Sequence, residues 1–152
     1  MRRGNFVHKT PYVILDNPSE VRKDLNEWNI AAVKHEIAIY KRIWPYPGLV
    51  GGFEIAEDCF VIDYLPRGSL ECSKEDKNNQ RPNDKQMHAW YLELAKTYSY
   101  IHKCKVFVAD IAARNVLVAN DDSLKVVDFG TSDLFPENWE GPLLGDCVSW
   151  KR

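Results

Sequence analysis

"VADIAARNVLVANDDSLKVVDFG" (Val108–Gly130) is the stretch whose reading decides the fold. Two short apolar runs, NVLVA and LKVVD, flank the segment NDDS, whose Asn, Asp and Ser favour a turn, so the stretch reads as an antiparallel hairpin. Asp110 and Asn115 precede the first run and Asp128 closes the second. Antiparallel pairing sets the start of one strand beside the end of the other. All three polar side chains are therefore expected at one mouth of the hairpin. Taken singly, each is accounted for as a turn cap. As an ordered set they offer two carboxylates and an amide, which is what Mg2+ needs from a protein when phosphate supplies the remaining ligands. One aspartate is then left to accept a proton from an attacking hydroxyl.

Outward from the hairpin, residues 84–103 carry Met87, Tyr91, Leu94, Tyr98 and Ile101 at gaps of four and three, a helical stripe. Asn83 stands at its N-cap position, with Gln86 placed to reciprocate. Upstream, GLVGGFEI and CFVIDYL read as two strands of a hairpin around AED, followed by the turn PRGSL. The polar segment 72–85 reads as a solvated connector. From Ser19 to Trp44, Val21, Leu25, Trp28, Ala32, Val33, Ile37, Tyr40 and Trp44 mark a second helical stripe, with Pro18-Ser19 as start and Pro45 as stop. One helix, or two that abut near Asn29, satisfies this pattern equally. NFVHK (5–9) is a short strand, and the tail from Thr131 reads as irregular. The order of strand, helix, hairpin, long helix and hairpin is an α+β arrangement.

The totals agree with such a fold. The chain has 152 residues, 45% hydrophobic and 28% charged, enough for one domain with a core. A net charge of −2 gives no basic field for nucleic acid or an anionic membrane. No apolar run reaches the roughly 20 residues of a membrane span, and the basic start MRRGNFVHK lacks the apolar run of a signal peptide. Cys59, Cys72, Cys104 and Cys147 form no C-x-x-C pair, which argues against zinc and for reduced thiols in an intracellular, cytoplasmic protein.

DIAARNVLV followed by KVVDFG resembles the catalytic and metal-binding loops of eukaryotic protein kinases. The resemblance implies Asp110 as catalytic base, with Arg114 beside it in the catalytic loop, and Asn115 and Asp128 as Mg2+ ligands. Ala-Ala-Arg-Asn is wording typical of tyrosine-kinase-like loops and does not fix the acceptor. Lys9, ending FVHK, takes the place of the strand lysine that grips the ATP phosphates, and Glu36 that of its helix partner. On pattern alone Glu36 satisfies two readings, a paired carboxylate inside the apolar stripe or a helix-edge residue reaching solvent. CFVIDYLPRGSL resembles the segment joining the two kinase lobes. Ile62 would be the gatekeeper, and the backbones of Asp63 and Leu65 would meet the adenine edge.

The matched order runs from Phe6 to about Ser132. It implies a partial protein-kinase-like fold, with an N-lobe remainder and hinge over 5–66, a C-lobe start over 67–135 and a tail over 136–152. No glycine-rich loop precedes Lys9 and no Ala-Pro-Glu follows Gly130, so an incomplete domain is expected, with the 84–103 stripe needing a partner. Ala109 replaces the arginine that neutralises a loop phosphate in the family. Phosphorylation at Thr131, Ser132 or Ser149 is accordingly expected not to act as a switch. The implied function is ATP- and Mg2+-dependent phosphoryl transfer to a Ser, Thr or Tyr hydroxyl of a protein. The alternative is a catalytically impaired pseudokinase or regulatory fragment that binds nucleotide or partners without turnover. A small-molecule kinase of the aminoglycoside or choline type shares Asp-x-x-x-x-Asn, but Asp128-Phe129-Gly130 argues against it.

Overall fold

A computed structural model describes residues 6–11, 20–56, 59–75 and 82–142, the side chains of 20–24 and 73–75 excepted. The element order is β1 (Phe6–Lys9), α1 (Glu20–Ile43), β2 (Glu54–Ala56), β3 (Cys59–Asp63), α2 (Leu70–Glu75), α3 (Asp84–Lys103), β4 (Val106–Phe107), β5 (Val116–Val118), β6 (Leu124–Val126) and β7 (Asp133–Leu134). Strands β1, β3 and β2 form an antiparallel sheet in that order, while β4–β7 and β5–β6 are separate antiparallel pairs. The Pro18-Ser19 start signal, the Val21 side chain, most of the AED turn, the polar run 76–81, Cys147 and Ser149 lie outside the described residues.

Strand alternation orients the first sheet. Lys9 pairs with Phe60 and Val7 with Ile62, and paired or alternate residues share a face. Phe60 and Ile62 are buried, so Lys9 lies on the side of the sheet that faces α1. There Tyr40 of α1 stacks on Phe53 (5.0 Å between ring centroids), leans on Phe60 (5.2 Å) and meets Phe129 edge-on (5.1 Å). Such ring pairs contribute about 0.5–1.5 kcal/mol each beyond their burial. This aromatic knot holds the residue after Asp128 against the C-terminal part of α1.

One open alternative is settled and four sequence expectations are corrected. Helix α1 is a single helix that runs through Asn29 without a break, one of the two readings the pattern left open, and its buried residues lie between Val33 and Ile43. Leu25 and Trp28 are exposed, the latter at 69%, since no described element covers that end of the helix. GLVGGFEI contributes strand only from Glu54; before it the chain runs across to the other half, where Val126 N–H donates to Gly48 O (2.8 Å) and Val50 N–H to Val126 O (3.4 Å). The connector begins as a helix, α2, whose start is held by the Cys72 N–H donating to the Ser69 hydroxyl (3.3 Å). Finally, Asp133 and Leu134 are strand rather than irregular, because β4 offers an edge next to α3.

Helix α3 has the expected bounds, and the Asn83 side chain accepts from the Gln86 N–H at 2.9 Å. Its stripe turns inward along its length. Tyr91 is 67% exposed, Leu94 and Tyr98 are half-buried, and Ile101 is fully buried. Among the described residues no helix is long and apolar enough to cross a membrane.

Candidate active site

The β5–β6 hairpin pairs Val116 with Val126. One step beyond, Val127 N–H donates to Asn115 O (3.0 Å), so Asn115 and Asp128 share the hairpin mouth. Asp110 joins through Asn115, whose amide nitrogen donates to the Asp110 carboxylate (2.9 Å) and to its backbone carbonyl (3.1 Å). A single 3-10 turn over Ala113–Asn115 makes this contact possible by folding the loop back before β5 begins. Arg114 reaches both carboxylate oxygens of Asp110 through one nitrogen, each at 2.8 Å. Asn115 is buried, whereas Arg114 is exposed.

The second half of the site is an ionic bridge. Lys9 Nζ lies 2.6 Å from Glu36 Oε2 and 2.7 Å from Asp128 Oδ1. Glu36 is only 2% exposed, and its other oxygen accepts from the Phe129 N–H at 3.0 Å. A carboxylate this buried is costly unless its charge is matched and its lone pairs are used. Here both conditions hold, and the solvent-reaching reading of Glu36 is excluded. Burial pushes the Lys9 pKa down, but the Asp128 and Glu36 carboxylates more than offset this and the net is raised above the ordinary lysine range. Lys9 is therefore an ammonium throughout the neutral range.

Asp128 has φ 64°, the left-handed region that an aspartate tolerates better than a branched residue. That twist turns its side chain toward Lys9 and solvent while the Phe129 ring enters the core. A Cβ on Gly130 would stand 3.6 Å from both Asp128 Oδ1 and Glu36 Oε2, so the glycine lies directly beside the bridge.

The donor chemistry fits Mg2+. With its amide N–H groups engaged by Asp110, Asn115 keeps an oxygen as its other polar atom, and Asp128 keeps a second carboxylate oxygen. Among the described residues no group of three or more His, Cys, Asp or Glu could hold a metal. An all-oxygen pair of this kind suits a hard ion that arrives with phosphate and water, not one held by a protein cage.

Ile62 is buried in β3 on the same face as Lys9. Asp63 N–H donates to Gly51 O (2.9 Å), and Leu65 O accepts from Gly68 N–H (3.1 Å), closing a turn in which Gly68 has φ 70°. Sequence reasoning missed three features. Gly51 and Gly52 lie against the Asp63 carboxylate; Gly52 has φ 71°, where a side chain is strained, whereas a Cβ on Gly51 would only push the carboxylate aside. Tyr98, seen only as part of the α3 stripe, has a buried hydroxyl with no hydrogen-bond partner among the described residues; burial and then the nearby Asp110 charge raise its pKa. His35, next to Glu36, places Nε2 2.7 Å from Ser132 O, fastening the segment after Gly130. The paired glycines were a visible signal; the other two depend on which helix face meets the loop.

The family described as protein tyrosine and serine/threonine kinase matches residues 22–140. The mitogen-activated protein kinase kinase kinase dlk-1 of Caenorhabditis briggsae is 36% identical over 95 residues, covering 60% of this chain and 11% of that protein. The tyrosine-protein kinase SPK-1 of Girardia tigrina is 30% identical over 96 residues, 54% of this chain and 19% of its own length. The tyrosine-protein kinase JAK1 of Danio rerio is 28% identical over 116 residues, 74% of this chain and 10% of its own length. The chain thus spans between 10% and 19% of the length of these curated relatives.

Proposed function

The chain belongs to the protein tyrosine and serine/threonine kinase family, and on that premise we propose that it carries the central machinery of an ATP- and Mg2+-dependent phosphotransferase acting on a protein hydroxyl. The observation that carries this reading is the continuous line of contacts from Lys9 through Glu36 and Phe129 to Asp128, and from Val127 through Asn115 to Asp110. Residues 5–66 act as the N-lobe remainder and hinge, and 67–135 as the start of the C-lobe.

Phosphoryl transfer asks little covalent chemistry of a protein; positioning and charge stabilisation do most of the work. The Lys9 ammonium, held in place by Glu36, neutralises phosphate oxygens. Asn115 and Asp128 would hold Mg2+, which when bound offsets the negative charge of the triphosphate. The Asp110 carboxylate, oriented by Asn115, accepts the hydroxyl proton, and the Arg114 cation beside it steadies its charge. With Asp63 N–H and Leu65 O already engaged, an adenine edge would be met by the complementary groups, the Asp63 carbonyl and the Leu65 N–H.

Thermal unfolding of the chain with and without Mg2+-ATP tests the site. A stabilising shift is expected, and Asp128→Ala should abolish most of it; equal shifts for the two proteins would remove the metal-site reading. Radiolabelled transfer to a generic protein substrate, with Asp110→Asn as control, separates catalysis from the alternative of nucleotide binding without turnover.

A further inference from the structure

Arg67 lies within the turn that Gly68 N–H closes onto Leu65 O, and its guanidinium crosses to the far end of the β5–β6 hairpin. One nitrogen donates to Ala119 O at 3.0 Å and also meets the Asp122 carboxylate. Asp122 is itself fixed from a third element. Its carbonyl accepts from the Trp90 indole nitrogen of α3 at 2.7 Å, and its N–H donates to Ala119 O at 3.1 Å. Alongside, Val118 N–H donates to Gly68 O (3.0 Å), Ser69 bridges Leu117, and Leu124 N–H donates to the Glu93 carboxylate of α3 (3.1 Å). The turn after Leu65 is thus bound to one end of the hairpin whose other end bears Asn115 and Asp128.

We infer that Arg67 is a positioning residue: through Asp122 and Ala119 it sets the separation between the nucleotide-edge turn and the metal-facing rim of the hairpin. A two-stranded hairpin three residues long is a short lever, so tilting its turn end displaces its mouth. On the phosphotransferase reading, a nucleotide with Mg2+ would meet both the turn after Leu65 and the hairpin mouth at Asn115 and Asp128, while adenosine would meet only the former. An exposed ion pair contributes little to global stability, which separates this role from a structural one. The inference rests on the phosphotransferase reading.

Affinity of the chain for Mg2+-ATP and for metal-free adenosine, in wild type, Arg67→Ala, Asp122→Ala and the double variant, tests it. Arg67→Ala is expected to weaken Mg2+-ATP by about five- to tenfold while adenosine changes by less than about twofold. The double variant should be no weaker than either single one, as expected for one shared contact. Equal Mg2+-ATP affinity in wild type and Arg67→Ala, or equal weakening of both ligands, overturns the inference. Amide hydrogen exchange in the ligand-free chain judges it separately. Faster exchange of Val127 N–H, at the mouth, in Arg67→Ala supports the lever; unchanged exchange there overturns it. Should wild type bind neither ligand, the phosphotransferase reading fails while the exchange result still decides whether the tie moves the rim.

Discussion

At the scale of single residues the site is governed by one buried carboxylate. Glu36 has two strong partners, and Lys9→Met leaves it only the Phe129 N–H. The expected loss is about 1–3 kcal/mol in urea unfolding, below the 3–5 kcal/mol of a fully buried pair because the Lys9 side chain keeps 37% of its exposure. The pH dependence has a definite sign. The folded pKa of Lys9 is raised above the ordinary lysine value of 10.5, so its stabilisation is complete below that value and disappears as pH rises through the folded one. The difference between wild type and Lys9→Met should therefore stay flat from neutral pH to about 10 and shrink above it. Gly48 makes a second residue-scale test. A Cβ there would fall on the buried Thr97 side chain, so Gly48→Ala should lower stability by about 1–3 kcal/mol, and adding Thr97→Ala should recover part of the loss. Ser132 is 2% exposed; its hydroxyl is closed to a modifying enzyme while the segment stays docked, whereas Thr131 is exposed.

At the scale of elements, α1 and α3 differ in what holds them. Helix α1 carries Glu36, His35 and Tyr40 to the site, and its C-terminal end is secured by the Tyr100 hydroxyl donating to Ile43 O at 2.8 Å. Helix α3 packs against β4 and β6, with its early turns exposed at Met87, Tyr91 and Leu92. Those turns depend more on local capping than on packing. Asn83→Ala should accordingly cost about 1 kcal/mol and raise amide exchange in the first turn of α3 before it affects Ile101. The periodicity of α3 was legible because its apolar positions recur at gaps of three and four with a cap residue in front. Which of them are covered was not, since Tyr91 and Ile101 are equally good stripe members and only the neighbouring elements distinguish them.

At the scale of the molecule, the segment after Gly130 ties the two halves together. Arg42 of α1 donates to Phe135 O (3.1 Å) and Cys104 O (3.5 Å) and approaches Glu137 (3.7 Å), while Phe135 N–H donates to Lys105 O (2.9 Å). Arg42→Ala should speed exchange of the Phe135 N–H by about tenfold, the factor that 1.4 kcal/mol represents, and leave the Val118 N–H unchanged. An equal change at both amides would mean global rather than local loosening. The tail read as irregular because two-residue strands carry no usable alternation, and β7 exists only where β4 presents an edge to it.

The sequence by itself determined the two long helices, the hairpin with Asn115 and Asp128 at its mouth, the bounds of α3 and the kinase family. Those features are written in local spacing, in turn and cap residues, and in motifs whose members lie within a few residues of each other. Tertiary structure alone decided that Glu36 is buried against Lys9, that Tyr40 seats Phe129, and that Arg67 reaches Asp122. Each joins residues far apart in the chain, and a charge or ring placed on a helix face or turn gains a partner only once the faces have met.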